Sequence, residues 1–357
     1  MRMLGIETSC DETSAAVVEE TDDPARPWVI RSNVVASQIA IHREWGGVVP
    51  ELASRQHIRD ICGVVERAME EAGTGWGDLG AVAVTQGPGL VGSLLVGVSF
   101  AKAAASAAGL PLVAVHHLAG HIESLVLHNG ELPLPAVVLV VSGGHTSLYL
   151  VAHPGQYRLL SRTRDDAAGE AYDKVAKLLG LGYPGGPTID RLAQAGNDRA
   201  VALPTTRLTH ADRNAPTLKG DLDFSFSGLK TAVLRYVRRS DAERGAPSRF
   251  TDSEIADICA SFQRVVVTTL VDRSFDAARR FQARSIGVSG GVSANSRLRA
   301  DLETHGRLRE MPTFVPSLSL STDNAAMIAA AGLRAFRAGV IAELDLSADA
   351  SLALPER

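Results

Sequence analysis

Short apolar runs alternate along the chain with stretches whose apolar positions recur at helical spacing, the pattern of an α/β architecture. "RMLGIET" and "SAAVVEE" predict two strands joined by the polar turn "SCDET", and "PAVVLVVSGGHTSLYLVAH" predicts a strand, a Gly-Gly turn and a returning strand. The two segments share one plan and begin about 130 positions apart, which points to an internal duplication. "RSIGVSGGVSANSRLRADL" predicts another strand, Ser285–Ser289, leading through Gly290 and Gly291 into a helix capped by Ser293 or Asn295. Helical periodicity covers about 167–179, stops at "GYPGGP" and resumes from Thr188; a further helix starts near Leu118 in "LAGHIESLVL", and "STDN" opens an Ala-rich one. The most membrane-like stretch, "LVGSLLVGVSFAKAAASAAGLPLVAV", has Lys102 mid-run and breaks at "GLP", so a buried helix followed by a strand is expected and no membrane span.

The predicted turns carry chemistry. Backbone N–H groups gathered at a turn form an anion nest, and two facing nests would suit a phosphate. Strand, Gly-Gly, helix N-terminus is a nucleotide-contact geometry, because the free N–H groups and the helix dipole favour an anion or a polar base edge. Neither a GxxxxGK[ST] loop nor a GxGxxG fingerprint occurs, which removes the P-loop and Rossmann readings. At 357 residues the chain can build two ordinary domains or one large two-lobed unit. Cys10, Cys62 and Cys259 are far apart and in no CxxC pair, so neither a disulfide framework nor a thiolate zinc site is expected, and the compartment is a reducing one. "MRMLGIETSCDETS" turns acidic where a secretion signal needs its apolar core, which points to a cytoplasmic protein. A net charge of −4 argues against a free-standing nucleic-acid binder, yet the 199–249 segment holds ten Lys or Arg against five Asp or Glu. That segment is either a solvated helix face with loops or a basic surface for an anionic partner.

"PLVAVHHLAGHIESLVL" holds three of the ten histidines. With a helix from about Leu118, His117 and His121 lie at i and i+4 on one face, roughly 5–6 Å apart at Cβ, close enough to share an ion. His116 points elsewhere. The competing reading makes one histidine a helix cap and the other the filling of a polar groove. No HExxH glutamate is present, and Glu123 falls off the ligand face. A third ligand must come from a distant segment, and Asp323 in "STDN" is the candidate; it can also serve as an N-cap, and the two roles are compatible.

Taken together, "MRMLGIETSCDETSAAVV", "GGVVPELASRQH", "VTQGPGLVGSLLVG", "HHLAGH", "VSGGHTSL", "DDAAGEAYDKVAKLLGLGYPGG", "LDFSFSGLKTA", "SGGVSANSRLR" and "STDNAAMIA" closely resemble the motifs of the bacterial TsaD family, in order from residue 2 to about 340. The resemblance implies an actin-like (ASKHA, ribonuclease H-like) two-lobed α/β fold with duplicated mixed sheets flanked by helices. It places an N-terminal lobe at 1–130 plus about 320–345 and a C-terminal lobe at 131–319, leaving 346–357 as a surface tail. The implied activity is transfer of a threonylcarbamoyl group from threonylcarbamoyl-AMP to N6 of adenosine 37 in tRNAs that read codons beginning with A, with release of AMP. Carried over position by position, His117, His121 and Asp323 would hold one divalent metal, iron(II) or zinc. Val140, Val141, Ser142, Gly143 and Gly144 would bind the phosphate and acyl-adenylate, and Asp173, Gly186, Asp190 and Asn295 the adenosine. Each has an ordinary alternative: an ion pair with Lys177 for Asp173, a turn glycine for Gly186, a helix cap for Asn295. Asp11 and Glu12 would orient the attacking amine and take its proton, or are turn acids of the first hairpin. The implied partners are tRNA and the TsaB and TsaE proteins, with TsaC making the adenylate beforehand. A kinase of the same fold would leave the paired histidines without a role, and a metallopeptidase would lack its glutamate.

Overall fold

In β1 (Arg2–Glu7) and β2 (Glu12–Glu20) nearly every side chain is buried, because both faces of the first hairpin are covered. The pairing is antiparallel, Gly5 opposite Ala16, and β3 (Trp28–Ser37) extends it on the β2 side. The short α1 (Ile39–Arg43) and long α2 (Pro50–Glu71) follow, then β4 (Leu79–Gly87), α3 (Val91–Ala108), β5 (Leu112–His116) and α4 (His117–Asn129). The first sheet runs β3-β2-β1-β4-β5, with β1, β4 and β5 parallel. The second half begins with β6 (Ala136–Val141), β7 (Thr146–Val151), β8 (Tyr157–Arg162), α5 (Ala168–Leu178) and α6 (Gly185–Ala193). It continues with α7 (Ser227–Arg244), α8 (Asp252–Arg280), β9 (Ser285–Ser289), α9 (Ser296–Leu308), β10 (Thr313–Phe314) and α10 (Ala325–Arg337). Its sheet runs β10-β9-β6-β7-β8 with β6 and β9 parallel, so the chain builds the duplicated mixed sheets of an actin-like α/β fold. This computed structural model describes residues 1–206, 208, 220–244 and 250–355. One unit comprises Met1–Leu134, Val151–Arg158 and Phe314–Arg357; the other comprises Pro135–Leu150 and Leu159–Thr313.

In the first unit the alternation of β1 splits its side chains between two layers. Leu4 and Ile6 join Ile61, Val65, Val98 and Ala101 in a core under α2 and α3. Gly5 faces α10, whose backbone passes so close that a Cβ would lie 2.4 Å from the Ala325 carbonyl oxygen and 2.7 Å from the Ala329 nitrogen. Gly5→Ala is therefore expected to lower unfolding free energy by about 1–3 kcal/mol or more through overpacking, measured as a shift of the urea midpoint. Among the described residues α3 alone is long and apolar enough to cross a membrane. Its Val98, Ala101 and Ala105 are core residues while Val91 and Leu95 are half exposed, so the expected helix-then-strand is present but only partly buried.

The C-terminal segment is docked on this unit. Ala342 bridges to Leu112, and Leu346 and Ala348 pack against the core. Lys102 Nζ donates to the Leu346 carbonyl at 3.0 Å, Gln86 Nε2 to that of Ser347 at 3.1 Å, and the Asp349 N–H to that of Gln86 at 3.0 Å. Gly87 must be glycine for this: a Cβ there would sit 1.9 Å from the Asp349 carbonyl oxygen.

In the second unit β6 and β9 are buried throughout, which explains their uninterrupted apolar runs. The helix expected from Thr188 begins three residues earlier, at Gly185. The Asp173 carboxylate, from α5, accepts the Gly185 N–H at 2.7 Å, supplying from another helix a cap that "YPGGP" lacks. After β9 the chain makes a 3-10 turn, Gly291–Ala294, and α9 takes Asn295 as its cap, with Asn295 Oδ1 accepting the Leu298 N–H at 2.9 Å.

Candidate metal centre and its surroundings

β5 runs directly into α4, and the junction sorts the three histidines. His116 is the cap: its Nδ1 accepts the Leu118 N–H at 3.1 Å and its Nε2–H donates to the Leu352 carbonyl at 3.0 Å. Both ring nitrogens are engaged, and burial pushes its pKa down to about 4, so the ring is neutral and unavailable to an ion. His117 and His121, one turn apart and fully buried, meet edge to face with ring centroids 4.7 Å apart. Asp323, just before α10, points its Oδ1 to within 3.5 Å of His117 Nε2 and 3.2 Å of His121 Nε2.

One ligand atom from each of these three residues lies within 4.8 Å of the other two. His121 Nδ1 is buried without a hydrogen-bond partner, and Nε2 faces the Asp323 carboxylate. Two imidazoles and a carboxylate converging on one point therefore fit a divalent ion with open positions. Electrostatics agree: burial depresses His117, but the Asp323 and Glu7 carboxylates outweigh it and hold the imidazole protonated up to about 9. His121 is shifted down, chiefly by burial.

The turn between β1 and β2 borders this centre. Asp11 is buried at its end and Glu12 opens β2. Burial, the adjacent Asp11, and Asp323 and Glu7 beyond it push the Glu12 carboxyl well above the usual carboxylate range. Burial and Asp11 likewise hold the Cys10 thiol far up, which removes it as a nucleophile. The turn is braced by residues that periodicity did not single out. His57 Nε2–H donates to the Cys10 carbonyl at 3.0 Å, and its Nδ1 accepts from Thr13 Oγ1 at 2.7 Å and Gln38 Nε2 at 3.3 Å. Gln38 Oε1 accepts from His42 Nε2 at 3.2 Å, and His42 Nδ1 from the Val49 N–H at 3.3 Å. The contacts of His57 need a neutral ring, and burial accordingly lowers its pKa. "GGVVPELASRQH" was the only hint of this chain, and it did not reveal what His57 holds.

In the second unit Val140 and Val141 end β6, and the Ser142 N–H closes a tight turn on the His145 carbonyl at 2.8 Å. Gly143 and Gly144 stand exposed at its tip, with open space where a Cβ would be. Asp173 and Gly186 meet at the start of α6. Asp190, one turn on, accepts from Ser296 Oγ at 2.8 Å, the Ser296 N–H at 3.0 Å and Gln263 Nε2 at 3.0 Å. Gln263 Oε1 takes Asn295 Nδ2 at 2.8 Å, joining Asp190 and Asn295 in one network; a cavity of about 420 Å³ opens beside Gln263, Ser296 and Arg297. Sequence reasoning passed over Gln263, a polar residue on the buried face of α8.

On the basic segment, α7 exposes Arg235, Arg238 and Arg239, and Arg199 is exposed before it. Lys230 pairs with Asp166 at 3.3 Å. Arg207, Arg213, Lys219, Arg249 and Asp212, and the side chains of Asp241, Glu243 and Arg244, lie outside the described residues.

Comparison with solved structures supports the architecture. Full-length HypF, in a phosphate- and nucleotide-bound form, superposes with a TM-score of 0.56 over 94% of this chain and 55% of that protein at 14% identity. The activator of 2-hydroxyisocaproyl-CoA dehydratase from Clostridium difficile gives 0.50 over 95% and 97%, also at 14% identity. At that identity the likeness concerns the fold alone. Sequence relatives are much nearer. The tRNA N6-adenosine threonylcarbamoyltransferase of Anaeromyxobacter sp. (strain Fw109-5) is 52% identical over 350 residues, covering 98% of each chain. The proteins of that name from Koribacter versatilis and Geobacillus kaustophilus are 48% and 50% identical, covering 99% of this chain and 98% and 96% of their own. The family described as "TsaD: tRNA N6-adenosine threonylcarbamoyltransferase" matches residues 29–330. With nearly all of its length aligned at about half identity, the chain belongs to the TsaD family of tRNA N6-adenosine threonylcarbamoyltransferases.

Proposed function

We propose that this chain forms N6-threonylcarbamoyladenosine in tRNA by moving the threonylcarbamoyl group of threonylcarbamoyl-AMP onto adenosine 37 of tRNAs reading codons that begin with A. The observation that carries the metal-assisted form of this reading is the convergence of the His117, His121 and Asp323 side chains on one point. These three residues would hold one divalent ion, iron(II) or zinc, which would supply Lewis acidity toward the threonylcarbamoyl group. The rest falls to the chain's own side chains. Val140, Val141, Ser142 and the exposed Gly143 and Gly144 offer a turn of backbone amides to the adenylate phosphate. Asp173, Gly186, Asp190 and Asn295 receive the adenosine, their directions fixed by the hydrogen bonds they already make. Asp11 and Glu12 lie side by side at the end of the first turn, where Glu12 binds a proton more readily than an ordinary carboxylate and so suits the role of proton acceptor. As the N6–carbon bond forms, the amine proton passes to this pair, and the carbon–oxygen bond of the mixed anhydride breaks with its electrons leaving on AMP. The leaving group is a good one, so positioning dominates the rate.

The exposed arginines of α7 supply part of a basic surface for tRNA. The resemblance adds TsaB and TsaE as working partners, TsaC as source of the adenylate, and the cytoplasm as location. We take the two units as the two halves of the duplicated fold, one carrying the metal ligands and the acid pair, the other the nucleotide residues. Single-turnover transfer from saturating threonylcarbamoyl-AMP to tRNA tests the acid pair. Glu12→Gln is expected to slow the step by about 10²–10⁴-fold while leaving tRNA affinity unchanged. A wild-type rate would remove the pair from the mechanism.

A further inference from the structure

Glu7 is a fully buried carboxylate that ends a strand with apolar residues at all its interior positions, and the acyl-transfer chemistry above does not use it. A carboxylate is expensive to bury unless it is paired and hydrogen-bonded. Its Oε1 accepts a short hydrogen bond from the Ser9 N–H. Its Oε2 accepts from Thr85 Oγ1 at 2.6 Å and faces His117 Nδ1 at 3.0 Å. Buried ion pairs are poor sources of net stability, since desolvation offsets most of the attraction. The direction of the contact is more informative. Glu7 holds the Nδ1 edge of the ring whose opposite edge, Nε2, faces Asp323 beside His121. Ser9 Oγ, 3.2 Å from the same Nδ1, crowds that edge further. When the ring is neutral, Glu7 and Ser9 at Nδ1 compete with Asp323 at Nε2 for its one proton, and Glu7 makes the closest of these contacts.

We infer that Glu7 is the positioning residue of the metal centre: it binds the Nδ1–H of His117, fixes the tautomer with Nε2 bare toward Asp323 and His121, and strengthens that nitrogen as a donor. Thr85 and the Ser9 N–H clamp the carboxylate so that it cannot rotate away. This rests on the reading of His117, His121 and Asp323 as metal ligands. Partners of this kind, one shell beyond the ligands, typically contribute 10–100-fold to metal affinity.

The test is titration of the full-length, metal-stripped protein with Co(II), following its visible absorption. Glu7→Gln, which keeps shape and one acceptor oxygen, is expected to weaken Co(II) by about tenfold and shift the absorption band, Glu7→Ala by up to about a hundredfold, and Thr85→Val by a few-fold. In a His117→Ala background Glu7→Gln is expected to have no further effect on affinity, because its influence passes through that ring. A merely structural Glu7 would lower the melting temperature of the metal-free protein equally in both backgrounds and leave Co(II) affinity and spectrum alone. Wild-type affinity and spectrum in a folded Glu7→Gln variant overturn the inference while leaving the ligand assignment standing. Failure of the wild-type protein to bind Co(II), or unchanged binding in His121→Ala, overturns the ligand assignment and the inference with it.

Discussion

His121→Leu is expected to abolish useful metal binding and, in the metal-free protein, to raise stability. The two effects have one origin. His121 is completely buried, and without an ion its Nδ1 has no hydrogen-bond partner while its Nε2 faces the Asp323 carboxylate at 3.2 Å. Replacing the ring with a side chain of similar size removes that penalty, which at about 1–3 kcal/mol per unpaired group predicts a gain of at least about 1 kcal/mol. In urea with a chelator present, the midpoint should move up. Metal binding should move the other way. Apparent binding energies of about 10–16 kcal/mol for four-ligand zinc sites put one ligand at about 3–4 kcal/mol, so Co(II) affinity should fall roughly 10²–10³-fold. Threonylcarbamoyl transfer should fall with it. If His121 were simply a core residue, His121→Leu would leave metal binding and transfer untouched. Stability gained at the expense of function is the behaviour of a residue kept for chemistry.

That unpartnered nitrogen could not be seen in the sequence. Spacing put His117 and His121 on one helical face and set His116 aside, but it left open whether one of the pair was the cap. The answer came from Leu352, a carbonyl more than 200 positions away that holds His116 Nε2 and leaves Nδ1 for the helix start. The buried strands were legible because β1, β6 and β9 are covered on both faces, and continuous apolar runs ending in Ser/Gly turns have few other uses. The start of α6 was misjudged because its cap is lent by Asp173 across a loop, and local sequence does not record loans between helices. Glu7 was invisible for a similar reason. A single acid ending a strand is unremarkable until the fold sets it against a histidine 110 positions further on. The C-terminal segment left no signal because it is held largely through backbone carbonyls, which every sequence offers alike.

Arg334→Met is expected to cost about 3–5 kcal/mol of folding stability, the largest loss from any single side chain discussed for this protein. Arg334, on α10, lies with Nε 2.6 Å from Glu123 Oε1 and with a terminal nitrogen 2.9 Å from Glu123 Oε2 and 2.8 Å from Glu131 Oε1. Its guanidinium stacks over the Trp28 ring at 5.4 Å, and the Trp28 indole N–H donates to Glu123 at 3.3 Å. Glu123 is buried on α4, two residues beyond His121, so removing the arginine leaves its carboxylate with the Trp28 indole and the Tyr157 hydroxyl but without its buried cation. The methionine fills the volume and keeps the loss specific to charge. Glu123→Gln added to Arg334→Met is expected to recover a substantial part of the stability, because the stranded charge and not the missing contact carries most of the cost. A double-mutant cycle by urea denaturation measures that coupling; a loss below about 1 kcal/mol for Arg334→Met would place the cluster among ordinary surface pairs. The position of the cluster gives the cycle a second readout. Arg334 joins α10, which follows Asp323, to α4, which carries both histidines, so the ion pair holds together the two helices whose ends must converge for three ligands to share one ion. Loosening it should weaken Co(II) binding moderately, and the double variant that restores stability should restore affinity in the same proportion.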